Sequence, residues 1–277
     1  MLFNLKQISR GFAGTNARQV FRTYLMLLLQ NRFISPGAAG TARLLNADME
    51  YSKRASLHGM FKEIFFDQNY FITATEAPLT IIDCGTNIGI SLLYFKTQAP
   101  NARIIGFEPN PHTFAIVSRN VVANNLGATL HNVGLGARSE KVTFFTDVKD
   151  FASQSASTTK QLGTKKNYQL TELAVQLEPL SEYITEPIDI LKLDIEGAEG
   201  VVIEELVAAD KLRLVKKLFI EYHFDGVNTT YPLGNLLARL EAAGFLYVIN
   251  SGIELPYHIP AKLNSIWYKI VAWRPEA

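Results

Sequence analysis

The stretch Leu79-Thr80-Ile81-Ile82-Asp83-Cys84-Gly85-Thr86-Asn87-Ile88-Gly89 passes from an apolar run, through an acid, into a glycine turn. The run is short and ends where the turn begins, the pattern of a strand buried on both faces of a parallel sheet. Working outward, residues 90–97 read as a helix, 103–108 as a second strand, 111–125 as a second helix with Pro111 in its first turn, and 129–133 as a third strand. This alternation predicts an α/β fold with a doubly wound, mostly parallel sheet.

The alternation then pauses. Residues 141–145 and 173–177 read as extra strands flanking a polar insert. The insert, residues 152–164, is rich in Ser and Thr without apolar anchors, and is expected to be a mobile lid over a ligand site. Strands at 188–193 and 217–222 and helices at 198–208 and 235–243 follow. The last strands, 245–250 and 266–273, have no helix between them, so the last is expected to run antiparallel.

Residues 1–70 are expected to form an N-terminal helical extension and residues 71–277 the main domain. Val20, Phe21, Tyr24, Leu25, Leu28 and Leu29 recur at helical spacing, which predicts an amphipathic helix docked on that domain. Lys6, Arg10, Arg18, Arg22, Arg32 and Arg43 precede the first acid, Asp48, and keep open peripheral contact with an anionic membrane or a partner. The apolar run 24–29 is far short of the roughly 20 residues of a membrane span. Of the 277 residues 48% are apolar, enough for a sizeable core, and a net charge of +1 gives no basic field to draw in nucleic acid. The lone Cys84 forms no intrachain disulfide and fits a reducing compartment, so a soluble, cytoplasmic protein is expected.

Three constellations carry chemistry. In the first, Gly85 and Gly89 let the backbone approach a ligand, and Asn87 tolerates the left-handed angles a third glycine would take. Glu108, ending the next strand about 20 residues beyond the turn, is placed to accept hydrogen bonds from both hydroxyls of a ribose. A pyrophosphate-binding turn has the form G-x-G-x-x-G, whereas this one is D-x-G-x-N-x-G, and its leading Asp83 suits an ammonium group better than a phosphate. A nicotinamide dehydrogenase is therefore disfavoured. In the second, Asp194, Glu196 and Glu199 crowd a strand end, which is unfavourable unless they hold a cation, a ligand or their own helix N-terminus; for Glu199 helix capping is preferred. In the third, alternation puts Glu221 and His223 on one face, and His223 is the best general-base candidate of the five histidines. His58, His112, His131 and His258 read as ordinary surface or loop residues.

Ile82-Asp-Cys-Gly-Thr-Asn-Ile-Gly89, Gly106-Phe-Glu-Pro-Asn110, Lys192-Leu-Asp-Ile-Glu-Gly-Ala-Glu199 and Phe219-Ile-Glu-Tyr-His223 together resemble the FkbM family of methyltransferases, from about residue 79 to residue 250. The resemblance implies a class I methyltransferase fold, S-adenosylmethionine as donor, and O-methylation of a sugar or other small molecule. It implies that Asp83, Gly85, Asn87, Gly89 and Glu108 hold the cofactor, with Asn132 and Val133 near the adenine. Asp194, Glu221 and His223 are then the catalytic candidates, with magnesium or another divalent metal as a possible aid. No nucleic-acid partner is expected. The rival readings are a nucleobase methyltransferase, whose Asn/Asp-Pro-Pro-aromatic motif this chain lacks, and a non-catalytic module retaining the fold.

Overall fold

A computed structural model describes residues 15–147, 170–224, 231–251 and 266–275. The chain enters through helix α1 (Thr15–Gln30), then a hairpin of β1 (Gly40–Leu44) and β2 (Ala47–Tyr51), then α2 (Arg54–Phe61), which continues into one π-helical turn, Lys62–Phe66. The extension is thus not wholly helical as expected. The hairpin turn is Leu45-Asn46, with Leu45 at φ +51°, and it lacks the Asn-Gly type of signature that marks such turns in a sequence.

α1 docks through Val20, Thr23 and Leu27, whereas Leu25, Leu28 and Leu29, expected on the docked face, are 39–53% exposed. Residues 24–29 are apolar on every side of the helix, so spacing alone could not choose the buried side there. Arg54, 1% exposed, fastens the end of α1 by donating to Gln30 Oε1 (2.5 Å) and Asn31 Oδ1 (3.1 Å).

The main sheet contains β3 (Thr80–Cys84), β4 (Arg103–Phe107), β5 (Ala128–His131), β9 (Ile188–Leu193), β10 (Val215–Phe224), β11 (Leu246–Ser251) and β12 (Ile266–Trp273), in the order β11-β12-β10-β9-β3-β4-β5. Only β12 runs against its neighbours, pairing antiparallel with both β10 and β11. This is the class I methyltransferase arrangement. Ile81 and Ile82 of β3 are both fully buried, one in each of two cores. One core lies under α3 (Ile90–Gln98), α4 (Pro111–Ala123) and the N-terminal segment; the other lies under α5 (Glu199–Ala208) and α6 (Leu233–Ala242). Burying each isoleucine contributes about 1.5–3 kcal/mol, which favours an interior place for β3 in the sheet.

The hairpin is held to α4 by two asparagines. Glu50 N donates to Asn120 Oδ1 (2.7 Å), and Asn120 Nδ2 donates to Glu50 O (3.0 Å) and to Ile88 O (2.8 Å) in the glycine turn. Asn124 exchanges the equivalent pair with the backbone of Asp48. The extension thereby braces the glycine turn from behind.

A small second sheet, β6 (Gly134–Leu135), β8 (Leu170–Glu178) and β7 (Glu140–Asp147), carries the two extra strands expected around the insert. The insert proper, residues 152–164, lies outside the described residues, as does His258. Among the described residues no helix is long and apolar enough to cross a membrane.

Candidate active site

β3 departs toward β4 and β5 on one side, and β9 and β10 lie on the other, so the switch point falls between β3 and β9. There the two strand ends touch. Gly85, at φ +86°, leaves no room for a side chain, since a Cβ would lie 2.0 Å from the backbone oxygen of Asp194. The glycine expected to admit a ligand is thus already required by the neighbouring strand. Asn87 takes φ +48° and accepts from Ile88 N through its own Oδ1 (2.8 Å). Gly89, at φ +92°, precedes α3 and would bring a Cβ to 3.0 Å from Val117 Cγ2.

Glu108 spans this turn. Its Oε2 accepts from Asn87 N (3.0 Å) and its Oε1 from Asn110 N (2.9 Å). Burial raises its pKa to about 7 against the pull of those two donors. Each carboxylate oxygen keeps an acceptor site beyond the backbone bond, an acceptor pair that fits the two hydroxyls of a ribose. Asn132 donates to the carbonyls of Glu108 (2.8 Å) and Pro109 (3.2 Å), tying β5 to the same turn, while Val133 is half-buried beside the second core. His131 stacks on Phe107 (5.2 Å) and meets the edge of Tyr183 (4.7 Å), an aromatic group rather than an isolated surface histidine.

Asp83 corrects its expectation. Its side chain is wholly buried, accepts from Ser91 Oγ (2.5 Å) and pairs with Lys192 Nζ at 3.0 Å, so it is not presented to a ligand's ammonium group. Lys192, 1% exposed, also donates to Gly85 O (3.0 Å) and lies 3.6 Å from Asp194 Oδ2. Burial would drive it toward the neutral amine, yet Asp83 and Asp194 hold its pKa above the ordinary value. One buried cation therefore joins the glycine turn to the acid cluster.

That cluster assembles at the carboxyl ends of β9 and β10. Asp194, Glu221 and His223 each present one polar atom within 4.8 Å of the others. His223 Nδ1 lies 3.0 Å from Glu199 Oε1, and its Nε2 lies 3.8 Å from both Glu196 Oε2 and Glu221 Oε1. Glu199, fully buried, also accepts from Ile195 N (3.2 Å) and Gly197 N (3.1 Å), so it staples the turn before α5 and orients the imidazole instead of capping the helix. Burial disfavours the imidazolium, but the bond to Glu199 and the charges of Glu199, Glu196 and Asp194 outweigh it and raise His223 to about 10. Burial and then Asp194 raise Glu221 to about 7, against His223 and Lys269. Glu196 rises to about 8, chiefly through burial.

Tyr70 was not anticipated. It comes from the N-terminal segment, is 5% exposed, and donates from its hydroxyl to Asp194 Oδ2 at 3.0 Å. Its ring lies 5.3 Å from Lys192 Nζ and meets Phe219 edge-on at 5.8 Å. Burial, then Asp194, pushes its pKa well above the usual phenol value, so it remains a donor. No motif marks it; Lys192, two residues before Asp194 on the strand, could have been singled out by alternation.

A family model described as the methyltransferase FkbM domain matches residues 83–247. The chain is 34% identical over 155 residues to Methyltransferase 1 of Beauveria bassiana, covering 50% of this chain and 62% of that protein, less than two thirds of its length. It is 28% identical over 239 residues to methyltransferase sdnD of Sordaria araneosa, covering 74% and 89% of the two chains. It is 26% identical over 238 residues to the 31-O-demethyl-FK506 methyltransferase FkbM of Streptomyces tacrolimicus, covering 75% and 89%. The solved methyltransferase FkbM of Methylobacillus flagellatus aligns with a TM-score of 0.45 at 15% identity, over 97% of this chain and 58% of that one. With well over half its length matched by the family model, and with the sheet order and glycine turn of the fold in place, the chain belongs to the FkbM family of methyltransferases.

Proposed function

We propose that this methyltransferase transfers a methyl group from S-adenosylmethionine to a hydroxyl of a sugar or other small metabolite. The observation that carries the reading is the meeting of Asp194, Glu221 and His223 within 4.8 Å at the switch-point edge, beside the turn that Glu108 spans. When bound, the cofactor supplies a methyl already activated on a sulfonium. The protein's part is then to orient the acceptor hydroxyl in line and to take its proton as the carbon–oxygen bond forms and the sulfur–methyl bond breaks, with S-adenosylhomocysteine as the leaving group. Glu108 holds the ribose, and Asn132 and Val133 border the adenine. Glu221, near 7, is poised to accept the proton. His223 carries charge at neutral pH and can act as a base only once the acids around it are neutralised. The name of the Streptomyces relative, 31-O-demethyl-FK506 methyltransferase, points the same way. The acids ringing the site would repel a phosphate backbone, which supports a small acceptor over nucleic acid. A cytoplasmic setting is part of the proposal, supported by the free, buried thiol of Cys84.

The test is a screen of cell-extract sugars and metabolites for a mass gain of one methyl. On the acceptor found, Glu221→Gln and His223→Asn should lower turnover by roughly 10²–10⁴-fold with affinity for S-adenosylhomocysteine unchanged. Near wild-type turnover in both variants would overturn the assignment.

A second reading has its own observation: the same three side chains could each give one ligand to a divalent cation. Two carboxylates with an imidazole suit manganese at least as well as magnesium. Loss of activity with a chelator and recovery with either metal would select this reading; indifference to the chelator would remove it.

A further inference from the structure

α1 has two unlike faces. Its inward side, Val20, Thr23 and Leu27, is buried, with the helix packed on α2, its π turn and the hairpin. Its outward side carries Arg18, Arg22, Leu25 and Leu29 at helical spacings of four, three and four, with Leu28 beside them, and all are exposed. The stripe runs past the helix end to Arg32 and to Phe33, which is 88% exposed, the highest exposure of any large apolar residue described. Among the described residues none of these three arginines is in an ion pair, whereas Arg43 is matched by Asp48 at 2.8 Å.

The first 47 residues hold six cations and no acid, in a chain whose net charge is only +1. An apolar stripe interleaved with arginines, with an aromatic ring at its end, is the chemistry that settles into the headgroup region of an anionic bilayer. An acidic protein would match the arginines but would leave the leucines and Phe33 without a reason to be outward. A second copy of this chain would bring arginine against arginine across a two-fold axis.

We propose that the outward face of α1 is a docking surface for an anionic lipid bilayer, presenting the enzyme to the membrane without spanning it. The proposal does not depend on the identity of the methyl acceptor.

The experiment is co-sedimentation of the full chain with vesicles of phosphatidylcholine alone and of phosphatidylcholine with phosphatidylglycerol. Binding is expected to the anionic vesicles only, weakening as salt is raised. Each arginine near the surface is worth about fivefold, so Arg22→Ala with Arg32→Ala should weaken partitioning by about 25-fold. Leu29→Ser with Phe33→Ser should also release the protein, and neither pair should alter the heat of S-adenosylhomocysteine binding. The proposal is overturned if anionic vesicles take up no protein at low salt, if neutral vesicles bind it equally, or if the arginine pair makes no difference. It is also overturned if the chain is a dimer that the Leu29 and Phe33 substitutions dissociate while vesicles stay unbound.

Discussion

Glu108 and Tyr70 are both held before any ligand arrives, and each can be tested by a change that leaves packing almost intact. Glu108 sits between two backbone donors, at 2.9 and 3.0 Å, so its carboxylate does not need to be ordered on binding. A hydrogen bond to a charged group contributes about 1.5–3 kcal/mol. Under the proposed ribose role, Glu108→Ala should weaken S-adenosylhomocysteine binding by roughly ten- to a hundredfold by calorimetry, and NAD should give no binding heat. Tyr70→Phe keeps the ring against Phe219 but removes the proton given to Asp194. The variant should stay folded and bind cofactor normally, while turnover falls as Asp194 loses the donor that orients it. Unchanged turnover would show that the hydroxyl serves packing alone.

At the scale of elements, the contact between β3 and β9 is the structural cause of the glycine turn. Gly85 and Gly244 both take positive φ, +86° and +81°, but a Cβ meets Asp194 O at 2.0 Å at Gly85 and nothing within 4 Å at Gly244. Gly244→Ala should cost only the left-handed strain, about 1–2 kcal/mol. Gly85→Ala adds a backbone clash and should cost at least about 3 kcal/mol in urea unfolding. Equal costs would mean that the neighbouring strand is not what demands glycine there. This contact also shows what could be read beforehand. The parallel strands announced themselves because each is an apolar run closed by an acid or a glycine, and the acids at their ends, Glu108, Asp194 and Glu221, followed from the rule that ligands bind at that edge. The hairpin did not, because its turn is Leu45-Asn46 and its strands are five residues each. The outward face of α1 did not either, since apolar residues occur on both of its sides. Tyr70 reaches the site only through tertiary packing, which no local spacing encodes. Asp83 was recognised as special, but Lys192, facing it in register across the strands, takes its charge.

For the whole molecule, the site sets a pH dependence of stability with a definite sign. His223 has its pKa raised to about 10 in the folded chain, so its contribution is complete below its unfolded value of 6.5 and is lost as pH rises through 10. Glu108 and Glu221, raised to about 7, and Glu196, raised to about 8, contribute fully below 4.5 and lose that contribution as pH rises through 7 to 8. The two kinds of group act in the same direction. The carboxyls whose pKa is lowered, Glu50 and Glu204, are ionised throughout this window and add no slope. Stability should therefore fall from about pH 5 to pH 10, by an amount on the order of a few kcal/mol, or about 5–10 °C in Tm, the fall being blunted below pH 6.5 by His58, whose pKa burial lowers. Replacing Glu221 by Gln should flatten the curve chiefly below pH 7, where its carboxyl titrates. His223→Asn should flatten it above pH 7, because no imidazolium remains to be discharged against Glu199 and Glu196. Thermal melts at intervals of one pH unit on the three proteins measure this directly. A wild-type Tm that is level or rising between pH 6 and pH 9 would mean that the acids and His223 do not share charge as their spacing implies.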